Sequence, residues 1–252
     1  MRSWIAGTGR TDTLARMVES VEVASVERSE VLRYLGYHGQ EVTPEVDARL
    51  DQAVAAVLSI ARPRASFRSF ECGPRTIRDD GTPELSLLGC TLVLEGKSIA
   101  QHLDGAVEVG VMAVTLGAGI ERELRRLSLT DPLGQILFDA AGTAAIERAA
   151  DAAEALLVAD AASRGLYTNW RFSPGYGDLP LECQPTLLSA LDATRRLGIT
   201  LTPSLLMVPT KSVTAVLGYF SQPQGGARQR CEACNLRDYC SVRASGDTCQ
   251  SS

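Results

Sequence analysis

The sequence predicts an α+β fold, and three observations support this class. The segment 107–116, rich in valine and mostly apolar, has the composition of a buried strand, and the segment 212–220 is predicted as a closing strand. The segment 131–163 opens with Asp131 and Pro132, an N-cap and a first-turn proline, and continues with the alanine-rich composition of a long helix. Because strands and helices are mixed without strict βαβ alternation, α+β is preferred over a doubly wound sheet.

The remaining elements follow from apolar spacing and from turn residues. Thr43 and Pro44 open an amphipathic helix that Pro63 ends, and Gly36 and Gly198 end two other helices. Turn residues around 79–83 separate two strands. The predicted helices are 27–35, 44–62, 98–103, 120–129, 132–163 and 184–197, and the predicted strands are 66–72, 85–94, 107–116, 166–172, 204–208 and 212–220.

Composition and charge exclude several classes of protein. Apolar residues make up 45% of the 252 residues and charged residues 22%, as in ordinary globular proteins, so a disordered chain is excluded. A formal charge of −5 gives no electrostatic footprint for nucleic acid. No apolar run approaches the roughly 18 residues of a membrane span. The first residues contain no apolar signal segment, so we expect a cytoplasmic protein without membrane or nucleic-acid partners.

The chain is predicted to have three parts: an N-terminal extension (1–26), a ligand-binding domain (27–222) and a cysteine-rich C-terminal tail (223–252). Residues 221–226, rich in glutamine and glycine with one proline, have the composition of a linker. His38 and His102, the only histidines, lie far apart in sequence without a ligand pattern, so neither is assigned a metal or a catalytic role.

Four of the seven cysteines fall within the tail. The C-x₂-C step is a recurrent chelating spacing for thiolates, and a third cysteine within six residues strengthens the pattern. We expect either a tetrahedral zinc site or an iron–sulfur cluster, and the spacing does not choose between them. The alternative is a tail with incidental thiols. The predicted ligands are Cys231, Cys234, Cys240 and Cys249.

The segment Arg171-Phe172-Ser173-Pro174-Gly175-Tyr176-Gly177-Asp178 is the most informative in the chain. It predicts a strand end followed by a stiff turn, because proline fixes one φ and the glycines permit unusual ones. Arg171 offers a planar fork for a carboxylate or phosphate, and Tyr176 offers an aromatic face and a hydroxyl. By itself the segment is also compatible with a plain structural turn.

Together with segments 30–37, 99–103, 113–117 and 208–215, this segment resembles the reactivation domain of cobalamin-dependent methionine synthase, in a free-standing form. The resemblance implies a twisted antiparallel sheet with flanking helices, and a bound S-adenosylmethionine. It also implies docking on a corrinoid protein whose cobalt has become inactive Co(II). A one-electron donor of the flavodoxin or ferredoxin kind reduces the cobalt, and the methyl group of S-adenosylmethionine traps the resulting Co(I) as methylcobalamin.

The partner implied by the resemblance is a corrinoid-binding methyltransferase or a methionine synthase core. The chain contains no Asp-x-His-x-x-Gly pattern for a lower axial ligand of cobalt, so we expect cobalamin to be supplied in trans by that partner. A second hypothesis is a non-enzymatic docking and electron-transfer module, in which a metal centre at the tail cysteines passes one electron to the cobalt.

The resemblance also assigns roles to residues. Arg171 would bind the methionyl carboxylate of S-adenosylmethionine, and the backbone of the Ser173-Pro174-Gly175 turn would hydrogen-bond the ligand. Tyr176 would lie near both the ligand and the approaching corrin, which makes it the candidate catalytic residue.

An acidic residue near the cationic sulfonium is the remaining part of the implied site. Asp151, and after it Glu147, matches the family's acidic helix position; the alternative is a solvated helix face on which both pair with Arg148. The sequence departs from the family just before the Arg171 turn. The connection 165–170 is short and contains no acid.

Overall fold

The structure is a computed structural model that describes residues 17–37 and 39–224. In these residues no helix has both the length and the apolar character needed to cross a membrane. The helices within these ranges are α1 (Arg28–Tyr34), α2 (Pro44–Ile60), α3 (Lys97–His102), α4 (Ala118–Thr130), α5 (Pro132–Ser163), α6 (Gln184–Ala190) and α7 (Ala193–Leu197), with a 3₁₀ turn at Leu181–Cys183.

The strands in the same residues are β1 (Met17–Ser20), β2 (Arg64–Ile77), β3 (Pro83–Leu87), β4 (Val93–Glu95), β5 (Glu108–Thr115), β6 (Tyr167–Thr168), β7 (Thr200–Leu201), β8 (Met207–Val208) and β9 (Ser212–Phe220). Seven of them form one antiparallel sheet in the order β4-β3-β2-β5-β9-β6, with β1 paired to β2. The pair β7 and β8 forms a separate hairpin. The α+β class and the twisted antiparallel sheet are confirmed.

The two longest helices begin where the sequence predicts. The hydroxyl of Thr43 accepts a hydrogen bond from the Val46 N–H at 3.4 Å, and α2 begins with Pro44. At α5 the Asp131 carboxylate accepts a hydrogen bond from the Gly134 N–H at 3.0 Å. Such caps satisfy donors that have no partner inside the helix, so each helix start is specified locally.

The central strands are covered on both faces. Met112 and Val114 of β5 belong to a hydrophobic cluster with α2, α4 and α5, whereas Val111 and Ala113 belong to a cluster with α3, α6 and α7. Alternate residues of a strand face opposite sides of the sheet, so a strand with helices on both sides is apolar throughout. This layering explains the continuous apolar run of β5.

The predicted strand 166–172 was wrong in extent. Only Tyr167–Thr168 pairs regularly with β9, and Phe172 adds an isolated bridge to Val216. Between them the side chain of Asn169 replaces one backbone acceptor of the ladder: its Oδ1 accepts the hydrogen bond from the Gly218 N–H at 2.8 Å, while the Asn169 N–H still donates to the Gly218 carbonyl at 3.4 Å. The chain therefore departs from regular pairing between Asn169 and Phe172, where Arg171 lies beside α5, and it rejoins β9 at Phe172, whose backbone exchanges two hydrogen bonds with Val216.

Positive φ values divide three other predicted elements. Gly89, with φ of +82°, lies in the turn that splits the predicted strand 85–94 into β3 and β4. Asp192, with φ of +54°, separates α6 from α7 within the predicted helix 184–197. Leu205, with φ of +64°, turns the chain so that only Met207–Val208 of the predicted strand 204–208 is extended.

The predicted strand 66–72 is longer in the structure, where β2 spans 64–77.

Residues 17–26 contact the predicted domain. The N-terminal strand β1 pairs with β2 in register from Met17 opposite Phe67 to Ser20 opposite Arg64. Val21 lies in the same hydrophobic cluster as α2 and α5. The boundaries at 27 and 222 remain predictions.

Candidate functional site

The segment Arg171–Asp178, here called the arginine loop, follows the short strand β6. Two backbone hydrogen bonds close its turn: the Gly175 N–H donates to the carbonyl of Leu179, just after the loop, at 2.8 Å, and the Tyr176 N–H donates to the Ser173 carbonyl at 3.1 Å. The stiff turn that the sequence predicts is therefore present.

The glycines and the proline of the arginine loop have the properties that the turn requires. Gly175 and Gly177 have φ of +90° and +56°, values that residues other than glycine rarely adopt. Pro174 is buried beneath the loop, whereas the Tyr176 side chain is 63% exposed. The loop thus presents an aromatic ring to its surroundings on a rigid base.

Arg171 forms ion pairs with three carboxylates of α5. Its Nη2 lies 2.7 Å from Glu147 Oε2, and its Nη1 lies 2.5 Å from Asp151 Oδ1 and 2.7 Å from Glu154 Oε2. The Arg171 N–H also donates to Glu154 Oε1 at 3.2 Å. The structure brings together the three charged residues that the resemblance assigned to the ligand, and it adds Glu154.

Glu147, Asp151 and Glu154, here called the carboxylate stripe, recur at i, i+4 and i+7 on one face of α5. One guanidinium against three carboxylates leaves a surplus of two negative charges. Burial of the guanidinium opposes protonation, but the hydrogen bonds and charges of Asp151 and Glu154 raise the pKa of Arg171 above its ordinary value. Arg171 is therefore a permanent cation held in an anionic site.

The charged side chains of the site differ in their exposure to solvent. The side chain of Arg171 is 14% exposed, while those of Glu147 and Asp151 are 40% and 52% exposed. Glu154, at 19%, is the most enclosed of the three carboxylates. Two of the three carboxylates are thus accessible to a ligand, and the guanidinium becomes accessible only if they move.

A cleft of ≈390 Å³ lies beside the carboxylate stripe. One wall is α5, and the other is the N-terminal segment that follows β1. Its lining residues are Glu22, Val23, Ala24, Ser25, Arg148, Asp151 and Ala152. Asp151 therefore belongs both to the cleft and to the Arg171 cluster. Its ion-pair partner is Arg171, and Arg148, the partner considered in the alternative interpretation, contributes to the wall.

Helix α1 places an aromatic residue near the carboxylate stripe. Burial and the charge of Glu147 both raise the pKa of Tyr34 above its ordinary value. The Arg33 guanidinium lies 4.5 Å from the centre of the Tyr34 ring and also pairs with Glu30. Tyr34 has no predicted role, because nothing local in the sequence indicates that α1 packs on α5.

Lys211 also contacts α5, one turn before the carboxylate stripe. Its Nζ lies 2.8 Å from Thr143 Oγ1 and 2.8 Å from Asp139 Oδ1, and its side chain is 11% exposed. A Cβ on Gly142 would lie 3.2 Å from Lys211 Cε, so the glycine makes room for the lysine. This contact packs the segment 208–215 against the helix that carries the stripe.

The predicted metal ligands Cys231, Cys234, Cys240 and Cys249 lie outside the described residues. Within residues 17–37 and 39–224, no group of three or more histidine, cysteine, aspartate or glutamate side chains has the arrangement of a metal site. A metal centre at the four cysteines remains a prediction.

The fold and the site together define a class of protein: an α+β domain that presents a rigid arginine loop beside an acidic helix face and a cleft. The family model of the vitamin B12-dependent methionine synthase activation domain matches residues 98–243, more than half of the chain. The chain belongs to this family. The matched region includes α5, the arginine loop and β9.

Among solved structures, the chain is similar to one titled "Crystal Structure of the MetH Reactivation Domain bound to AdoHcy". The TM-score is 0.56 at 19% sequence identity, over 92% of this chain and 86% of that chain. At this identity the likeness establishes the fold. No curated protein matches the chain.

Proposed function

We propose that this protein binds S-adenosylmethionine at the arginine loop and donates its methyl group to the Co(I) form of a corrinoid carried by a separate partner. The observation that carries the proposal is the Arg171 cluster. Its guanidinium is suited to the carboxylate of the ligand, and the carboxylates around it are suited to the cationic sulfonium. Membership in the activation-domain family and the fold shared with an AdoHcy-bound reactivation domain support it.

Binding is proposed to exchange ion pairs rather than to create them. The methionyl carboxylate takes a share of the Arg171 guanidinium, whose five N–H groups form a planar fork. Glu147 and Asp151, the more exposed partners, then face the ammonium and sulfonium groups of the ligand. The ligand carries a net charge of about +1, so its entry offsets part of the negative surplus of the site.

The backbone of the arginine loop is assigned to the rest of the ligand. Its internal hydrogen bonds use the Gly175 N–H and the Ser173 carbonyl. The proposal therefore assigns the Ser173 N–H and the Gly175 carbonyl to the ligand, with Pro174 fixing the turn between them. The exposed ring of Tyr176 is assigned to the contact with a visiting corrin.

In the proposed reaction an external one-electron donor, of the flavodoxin or ferredoxin kind, first reduces Co(II) to Co(I). The electron pair of Co(I) forms the bond to the methyl carbon while the sulfonium–methyl bond breaks. The products are methylcobalamin and neutral S-adenosylhomocysteine. No proton moves in this step, so the protein's contribution is binding, orientation and exclusion of competing reactions.

The test mixes the protein with a Co(II)-corrinoid partner, a reductant and S-adenosylmethionine, and follows the visible spectrum anaerobically. We expect the Co(II) spectrum to be replaced by that of methylcobalamin, and no such change with S-adenosylhomocysteine, which lacks the methyl group. Isothermal titration with S-adenosylmethionine measures binding directly. Failure of the ligand to bind, both with and without the partner, would contradict the proposal.

The electron-transfer module remains the second candidate, favoured by the C-x₂-C-x₅-C spacing of the tail. Under that hypothesis the isolated protein contains an iron–sulfur cluster, and its broad visible absorption bleaches on addition of dithionite. A colourless protein that contains zinc excludes it. The two candidates also differ at Arg171, which matters for binding S-adenosylmethionine and not for delivery of an electron.

A further inference from the structure

Helix α3 contacts the arginine loop at the loop's C-terminal end. The Asp178 carboxylate accepts hydrogen bonds from the Lys97 N–H at 2.7 Å and the Ser98 N–H at 2.8 Å. These are donors of the first turn of α3, which the N-cap residue Gly96 has no side chain to satisfy. A residue 80 positions later in the chain therefore caps the helix.

Gly96 makes this cap possible. A Cβ at position 96 would lie 2.6 Å from Asp178 Oδ1 and 2.8 Å from the Asp178 carbonyl oxygen, too close for any side chain. Its φ of +130° is also unfavourable for residues other than glycine. The bare backbone at 96 and the carboxylate at 178 thus fit each other, and a substitution at either position breaks the same contact.

The same helix holds the loop's N-terminal end through His102. Its Nε2 lies 2.8 Å from the Trp170 carbonyl oxygen, and because a carbonyl only accepts, Nε2 carries the proton. The His102 ring also contacts the rings of Trp170 and Phe172, at centroid distances of 4.9 Å and 5.0 Å. The Asn169 Nδ2 donates to the His102 carbonyl at 2.7 Å.

We propose that α3 is the template that holds the arginine loop in its ligand-binding conformation, with Asp178 and His102 as positioning residues. This inference rests on the proposed function, since it takes the loop to be the S-adenosylmethionine site. Neither residue is assigned a contact with the ligand. They act by fixing the residues on both sides of Arg171 and Tyr176. Because the loop is already ordered, little conformational entropy is lost when the ligand binds.

The test compares three variants that loosen the template. Asp178→Ala removes the cap, Gly96→Ala displaces it, and His102→Leu removes the bond to Trp170 while keeping a side chain of similar bulk. We expect each to raise the Kd for S-adenosylmethionine about tenfold, measured by isothermal titration. His102→Gln, whose amide N–H reaches about as far as Nε2, is expected to recover most of the affinity.

Amide hydrogen exchange without ligand supplies the second measurement. The amides of residues 171–178 are expected to exchange faster in Asp178→Ala and Gly96→Ala, while those of β9 keep the rate of the unmodified protein. Asp80→Ala is the matched control, because Asp80 also accepts a backbone hydrogen bond, from the Thr82 N–H at 2.9 Å, but in the turn before β3. It should change neither the affinity nor the exchange of the loop.

The two measurements separate this inference from the proposed function. If the unmodified protein does not bind S-adenosylmethionine, the function fails, and the exchange of the loop still decides whether α3 holds it. Affinities within twofold of the unmodified protein in all three variants, or unchanged exchange of the loop, would overturn the inference. If Asp178→Ala does not fold, Asp178→Asn, which keeps one acceptor, takes its place with a smaller expected effect.

Discussion

Two arginines connect α5 to the rest of the molecule, and the ion-pair clusters around them differ in net charge. Arg164, just after α5, pairs with Glu108 of β5 at 2.8 Å and with Asp160 of α5 at 2.9 Å. Its guanidinium also lies 5.2 Å from the centre of the Tyr219 ring. Arg171 pairs instead with the carboxylate stripe, all of it on one helix.

The difference supports the proposal that the Arg171 cluster binds a ligand, whereas the Arg164 cluster joins structural elements. At Arg164 one acid comes from the sheet and one from the helix, so the ion pairs join two elements, and the surplus is a single negative charge. At Arg171 three acids on one helix face repel one another, and one cation offsets only part of their charge. A protein that needed only to fasten the loop to α5 would not require a third acid there. We infer that the surplus at Arg171 serves a cationic ligand.

The largest effect is expected from removing each arginine in turn. Arg171→Met should raise the Kd for S-adenosylmethionine by about 100-fold or more, because charge-assisted hydrogen bonds to the ligand carboxylate are lost. Arg164→Met, which removes the same charge and leaves a similar stem, should change the Kd less than about twofold. Isothermal titration measures both affinities, and circular dichroism verifies that both variants are folded.

Equal losses of affinity in the two variants would contradict this distinction, since they would show that any arginine beside α5 supports binding equally. A loss of affinity confined to Arg164→Met would place the ligand at the Arg164 cluster and would contradict the proposed site.

A smaller effect is expected for the preference between S-adenosylmethionine and S-adenosylhomocysteine. The two ligands share their carboxylate and ammonium groups, so the ratio of their affinities isolates the sulfonium charge. Asp151→Asn should reduce the preference for S-adenosylmethionine about fivefold, the size of one half-exposed charge interaction. The matched control is Asp160→Asn in the Arg164 cluster, and it should leave the ratio unchanged. An unchanged ratio in Asp151→Asn would mean that Asp151 does not face the sulfonium.

The sequence predicted those parts of this site whose signals are local. Asp131 and Pro132 define the start of α5, and the proline and glycines of the arginine loop define its turn, because caps and turns depend on neighbouring residues. Glu154 was missed although its i+7 spacing from Glu147 was visible. The spacing shows a shared helix face, but it does not show that the short connection 165–170 carries Arg171 back along that face.

The contacts of α3 could not be predicted from local patterns. Asp178 caps a helix that begins 81 residues earlier, and His102 reaches a carbonyl 68 residues later. Such pairs depend on the order of strands in the sheet, which the sequence of one chain does not determine. The break of the predicted strand 166–172 has a similar origin, since the Asn169 side chain can replace a backbone acceptor only because Gly218 lies opposite it.

The smallest effect concerns the far end of the arginine loop, for which the Arg164 cluster has no counterpart. Partial burial opposes ionisation of Asp178, but the hydrogen bonds from Ser98 and Lys97 hold its pKa below the ordinary value of 3.8. A carboxyl group whose pKa is lowered by folding contributes its full stabilisation at pH values above its ordinary pKa. It loses that contribution as the pH falls through the lowered pKa of the folded state. Asp178→Asn should therefore lower the free energy of unfolding by about 0.5–1 kcal/mol at pH 7, the usual worth of a helix cap.

The difference between Asp178→Asn and the unmodified protein should shrink as the pH falls below about 4, because protonation of Asp178 removes the same charge that the substitution removes. Urea unfolding at a series of pH values measures it. Asp104→Asn, at an exposed position just after α3, changes the net charge equally and should give a difference that does not vary in this way. A difference for Asp178→Asn that stays constant down to pH 2 would show that the cap stabilises the fold by shape rather than by charge. The arginine loop would then keep its conformation in acid.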